Sequence, residues 1–89
     1  MIGERRVMQK LEELGMTFRQ HANAKRYRQA KICYEQARTV AVFMELSEEN
    51  KSRLFGERGD SGEILKEGIF REEVVVKVLY EVDVRGTTT

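Results

Sequence analysis

Residues 23–46 read NAKRYRQAKICYEQARTVAVFMEL, a long stretch with neither Gly nor Pro, and its apolar spacing decides the fold. Tyr27, Ala30, Tyr34, Ala37, Ala41 and Met44 recur at alternating intervals of three and four, which lays them along one seam of an α-helix. Such a seam must be covered by other groups. Arg26, Arg28, Lys31, Glu35 and Arg38 fall mostly off it as a solvated flank, with Glu35 able to reach Arg38 or Lys31 across one turn. The last two turns change character. Residues 40–44 are apolar in succession, and a helix that is apolar all round is enclosed on several sides, so the centre of the core, or of an interface, is expected near Phe43.

Before this helix, Val7, Leu11, Leu14 and Phe18 are spaced four, three and four, with Met8 widening the stripe, which predicts a first helix from about Glu4 to Leu14 or a little beyond. Gly15 can end it in a left-handed cap, although a glycine at a close crossing would read the same. Residues 17–23 are then the expected turn. Asn23 is the expected N-cap of the long helix, since its short side chain can accept from backbone donors of the first turn.

Leu14-Gly15, Phe18, Tyr27, Ala30, Tyr34 and Ala37 resemble the tetratricopeptide pattern over residues 8–40, with Leu-Gly and an aromatic on one helix and Tyr-x-x-Ala-x-x-x-Tyr-x-x-Ala on the next. The resemblance implies a helical hairpin whose alanines allow close approach and whose tyrosines fill the space towards a neighbour. Departures are a longer gap between Phe18 and Tyr27, no proline after the second helix, and no second copy. A lone repeat cannot bury its own face, so the rest of the chain or a second molecule must cover it.

Ser47-Glu48-Glu49 is a further helix start, a hydroxyl cap with acids in the first turn, and Gly56 after Leu54-Phe55 is the matching stop. Residues 57–62, Glu-Arg-Gly-Asp-Ser-Gly, form a polar connector that is expected to be mobile or exposed. The last long segment has two readings. With period two, Val74, Val76, Val78, Tyr80, Val82 and Val84 make one face of a strand; with period 3.6, Val74, Val75, Val78, Leu79 and Val82 make a helical stripe after Glu72-Glu73. β-Branching favours the strand. The helix is preferred because a strand lacks a partner, residues 63–70 being short and interrupted by Gly68, and a two-stranded ribbon is marginal alone.

At 89 residues the chain forms one domain, organised as a helical core (1–56), the connector, a C-terminal segment (63–86) and a tail (87–89). A charged fraction of 35% without proline suits helices better than a sandwich or barrel. One cysteine, Cys33, excludes an internal disulfide framework and a cysteine-based zinc site within one chain, and no cofactor is indicated. No leader or membrane span is legible, so a cytoplasmic location is expected. Net charge is +1, yet residues 1–45 carry roughly +4 and residues 46–89 roughly −3, a dipole suited to head-to-tail pairing or to an anion at the basic end.

Few residues carry recognisable chemistry. His21 has no acid beside it in sequence and reads as a turn histidine; Cys33, flanking the seam, reads as a small buried hydrophobe. Gly56, Gly59 and Gly62 lack the spacing and the Lys-Ser/Thr of a phosphate loop, Arg58-Gly59-Asp60 is a coincidental adhesion tripeptide, and the acid pairs at 12–13, 48–49 and 72–73 point apart on a helix. Arg19, Lys25, Arg26, Arg28 and Lys31 form a possible anion or nucleic-acid patch at the first turn, where Tyr27 could stack on a base. The chain as a whole is also similar to small proteins of phages and prophages of Gram-positive bacteria, which implies no particular activity. The sequence therefore predicts a mainly α fold with the interaction seam Tyr27, Ala30, Tyr34, Ala37, Ala41, Phe43 and Met44. The alternative is α+β, residues 73–85 being a strand that pairs in an oligomer. The expected role is a non-enzymatic assembly protein, a homodimer or larger, with a nucleic-acid accessory as the alternative and no membrane partner.

Overall fold

The stripe Val7, Leu11, Leu14 and Phe18 does not end at Gly15. In the computed structural model, which describes residues 3–86, the first helix α1 is Glu4–Asn23. Gly15 sits inside it because a Cβ there would meet Ile69 Cγ2 at 2.5 Å, so the glycine marks a close approach and not a cap. Residues 17–23, expected as the turn, are helical, and Asn23 is the last residue of α1 instead of the cap of the next helix. Lys25 has φ 62°, the Lys25 amide donates to Ala22 O (3.1 Å) and the Arg26 amide to His21 O (2.8 Å). That pair of bonds around a left-handed residue is a Schellman ending.

Helix α2 is Tyr27–Phe43, four residues shorter at its start and three at its end than the stretch 23–46. It closes in the same manner. Glu45 has φ 51°, and the Glu45 and Leu46 amides donate to Val42 O (3.1 Å) and Ala41 O (3.2 Å). Leu46 and Ala41, at the two positions whose apolar contact accompanies this motif, are both buried. Helix α3, Glu48–Phe55, has the expected bounds: the Ser47 hydroxyl accepts from the Asn50 amide at 3.3 Å, and Gly56 stops it at φ 79°.

The connector is a small hairpin. Strands β1 (Glu57–Arg58) and β2 (Ile64–Lys66) pair antiparallel, and both are exposed. Backbones touch where the hairpin returns, since a Cβ on Gly68 would lie 2.4 Å from Leu54 O, and one on Gly56 2.3 Å from Lys66 O. The Ile69 amide then donates to Arg53 O (2.9 Å) and the Phe70 amide to Leu54 O (2.8 Å), which docks Phe70 into the molecule.

Helix α4, Glu72–Gly86, follows the 3.6 reading of the valines. Val75 and Val78 are buried, while Val76 and Val84 are exposed. Phe70 lies 5.7 Å from the Tyr34 ring and the Arg85 guanidinium 5.7 Å from the Tyr27 ring, so α4 runs back along α2 in the antiparallel sense. The core centre is therefore not Phe43, which is 82% exposed. It is the cluster of Phe18, Phe70 and Leu54 over the fully buried Ala30 and Ala37. Phe70 is the hub, 5.2 Å from the Phe18 ring and 5.7 Å from that of Phe55. Arg38 lies 4.8 Å from the Phe55 ring centre, and among the described residues Glu35 makes no ion pair with it or with Lys31.

Candidate interaction face

Four of the seam residues, Tyr27, Ala30, Ala37 and Ala41, are buried, and Tyr34 is half-buried in the aromatic cluster. Helices α1 and α4 cover this seam within the chain. Met44 and Phe43, at the end of α2, stay outside with exposures of 38% and 82%.

A different face of the hairpin is left open. A groove of about 1390 Å³ lies between α1 and α2, and no residue of α3 or α4 lines it. Its floor is Val7, Leu11, Leu14 and Val40; Ile32, 53% exposed, and Met44 stand on its α2 side. Phe43 continues the row of Ile32, Glu35 and Thr39 at helical spacing. Reading α2 for one seam alone hid this second face. Ile32 was the available signal, an apolar residue off the seam with no covering element assigned to it.

The basic residues at the first turn have mixed placements. Arg19, Lys25, Arg26 and Arg28 are exposed and Lys31 is half-buried. Arg26 Nε donates to His21 Nδ1 at 2.9 Å. Tyr27 is buried under Arg85 and is not available to stack on a base, so the expected stacking role falls away. Cys33 is buried, and that burial pushes its thiol up from its ordinary value, away from reactivity.

The glycine amides of the connector are already used. Gly56 N donates to Ser52 O (2.7 Å), Gly59 N to Glu63 O (2.8 Å) and Gly62 N to Gly59 O (3.0 Å), so none is aimed outwards at a phosphate. Arg58 of the adhesion-like tripeptide pairs with Glu72 and ties the hairpin to α4. One arrangement went unseen in the sequence. The Glu4 carboxylate accepts from the Ser47 hydroxyl (2.8 Å), the Ser47 amide (3.3 Å) and the Asn50 side-chain amide, thereby joining the starts of α1 and α3. Those bonds, from Ser47 first and Asn50 next, hold its carboxyl below the ordinary carboxylate value. Nothing local in the sequence signals it, because the partners are more than forty positions apart.

Among the described residues no group of three or more His, Cys, Asp or Glu could hold a metal ion, and no helix is long and apolar enough to cross a membrane. Compared with protein-family models, curated proteins and solved structures, the chain matches none.

Proposed function

We propose that this chain is a small, non-enzymatic interaction module of the cytosol whose function is to assemble, first of all with itself. The observation that carries the reading is the exposure of Phe43 at 82%, on a helix end that also presents Val42 at 75% and Met44 at 38%. A run of large apolar groups in water is costly at about 25 cal/mol per Å², and a patch of this kind marks a contact surface. A tetratricopeptide-like character of the α1–α2 hairpin belongs to the same proposal. Two features support it: the complete burial of Ala30 and Ala37, and the position of α4 along α2, where a following repeat would pack. Light scattering on the eluting protein tests the reading. A mass above 10.4 kDa that rises with concentration is expected, and a concentration-independent 10.4 kDa species would overturn it.

A nucleic-acid accessory is the second reading, favoured by the exposure of Arg19, Lys25, Arg26 and Arg28 around one turn. Binding through such residues weakens steeply with salt. Titration of labelled single- and double-stranded DNA at low and physiological salt separates the two readings, and absence of binding at low salt removes this one.

A further inference from the structure

We propose that the groove between α1 and α2 is a two-fold interface, occupied by the same groove of a second copy of this chain; this rests on the self-association reading and assigns it a face.

The charges on the groove carry the inference. Going along α1 from the open end of the hairpin towards its turn, the groove is lined by Arg6, Lys10 and then Glu13, and on α2 the acid Glu35 stands in the half nearer the turn. The groove thus has a basic half and an acidic half. Among the described residues Arg6, Lys10, Glu13 and Glu35 make no ion pair, although five other ion pairs form elsewhere in the molecule. A two-fold axis lying across the groove reverses the copy end to end. It sets the basic half of each molecule on the acidic half of the other, with α1 against the partner's α1 so that Lys10 meets the partner's Glu13 in both contacts, and the apolar floors then face one another.

An isologous contact requires a surface to be its own complement, and an antisymmetric charge pattern along an apolar trough has that property. A foreign helix would need a matching dipole of its own, whereas a second copy supplies one by symmetry. The result is four helices packed as two antiparallel hairpins, a common way for such hairpins to bury an apolar face. A two-fold axis running along the groove is disfavoured by the same charges, because it keeps the direction of the groove and lays the acidic half of each molecule on the acidic half of the other.

Reversing single charges tests the pairing. Lys10→Glu places an acid against the partner's Glu13, and Glu13→Lys places a base against the partner's Lys10. Each variant alone is expected to associate at least tenfold more weakly than the parent by analytical ultracentrifugation, with helical circular dichroism unchanged since both positions are exposed. An equimolar mixture of the two variants restores opposite pairing at both contacts, so a heterodimer with near-parental affinity is expected. Ile32→Asp, on the rim and outside the folded core, is expected to weaken association by a similar factor. If the parent dimerises but all three variants do so equally well and mix without preference, another surface, such as Ile64, Leu65 and Tyr80, forms the dimer. The groove assignment is then wrong while self-association stands. A monomeric parent overturns both.

Discussion

Lys25 and Glu45 hold φ values of 62° and 51°, a region where a Cβ crowds the following carbonyl at a cost of about 1–2 kcal/mol. Both are exposed, so neither side chain gains a buried contact in return. Replacing either by Gly should stabilise the protein by about 0.5–1 kcal/mol, the relief of strain less the extra chain entropy of glycine. Urea melts of Lys25→Gly and Glu45→Gly check this, and a loss of stability at both would contradict the Schellman assignment. Gly68 poses the reverse case, since an added Cβ meets backbone at 2.4 Å. Gly68→Ala should cost about 2–3 kcal/mol, and Gly15→Ala should also destabilise, because the atom it meets, Ile69 Cγ2, is a methyl on a β-branched carbon that yields only by a change of χ1 or a shift of backbone. Glu4 makes a pH prediction. Its carboxyl is held below the ordinary value of 4.5, so its bonds to Ser47 and Asn50 stabilise the fold fully above that value. The contribution disappears as pH falls through the lowered folded value. The melting temperature of the parent should therefore exceed that of Glu4→Gln at neutral pH, with the gap closing in acid. Parallel curves down to about pH 3 would show that the carboxylate contributes nothing.

Helix α4 is where the two sequence periods disagreed, and the structure separates them at adjacent positions: Val75 is 6% exposed and Val76 54%. Val75→Thr should cost about 1–2 kcal/mol for a buried hydroxyl without a partner, and Val76→Thr close to nothing. A reversed order in thermal melts would restore the strand. Valine is a weak guide here because its β preference mostly reports a pleated, half-buried environment, and residues 72–86 have no strand to pair with; β2 is short and is taken by β1. The elements legible in sequence were those whose ends carry ordinary chemistry, as in α3, where Ser47 caps one end and Gly56 closes the other. The C-terminal ends of α1 and α2 lie elsewhere than the sequence suggests, for an equally physical reason. Their left-handed residues are Lys25 and Glu45 where glycine is usual, so no composition signal marks them, and the one glycine nearby, Gly15, serves packing. The open groove was not legible either, because it depends on which faces α3 and α4 leave uncovered.

At the scale of the whole molecule, an 89-residue chain has a stability of about 0.05–0.15 kcal/mol per residue, so a single core contact is a large fraction of the total. Ala37 is fully buried, and Ala37→Glu would place an unpaired carboxylate there at a cost of several kcal/mol, unfolding the chain, whereas exposed Asp60→Ala should leave the melt unchanged. Phe70 joins the hairpin, α3 and the start of α4 through one ring, with the rings of Phe18, Tyr34 and Phe55 all within 6 Å of its centre. Phe70→Ala should remove about 3–5 kcal/mol. Self-association, as proposed, would add a second, separable source of stability, because a contact made only by the folded state raises the melting temperature with protein concentration. The parent should therefore melt higher as it is concentrated from micromolar to hundreds of micromolar. Lys10→Glu should melt at a temperature independent of concentration and close to that of the dilute parent. Phe70→Ala should melt lower at every concentration yet keep an upward slope, since it leaves the groove intact. If the slope were lost with Phe70→Ala and kept with Lys10→Glu, the assembly would run through α4 and not through the open face of α1 and α2.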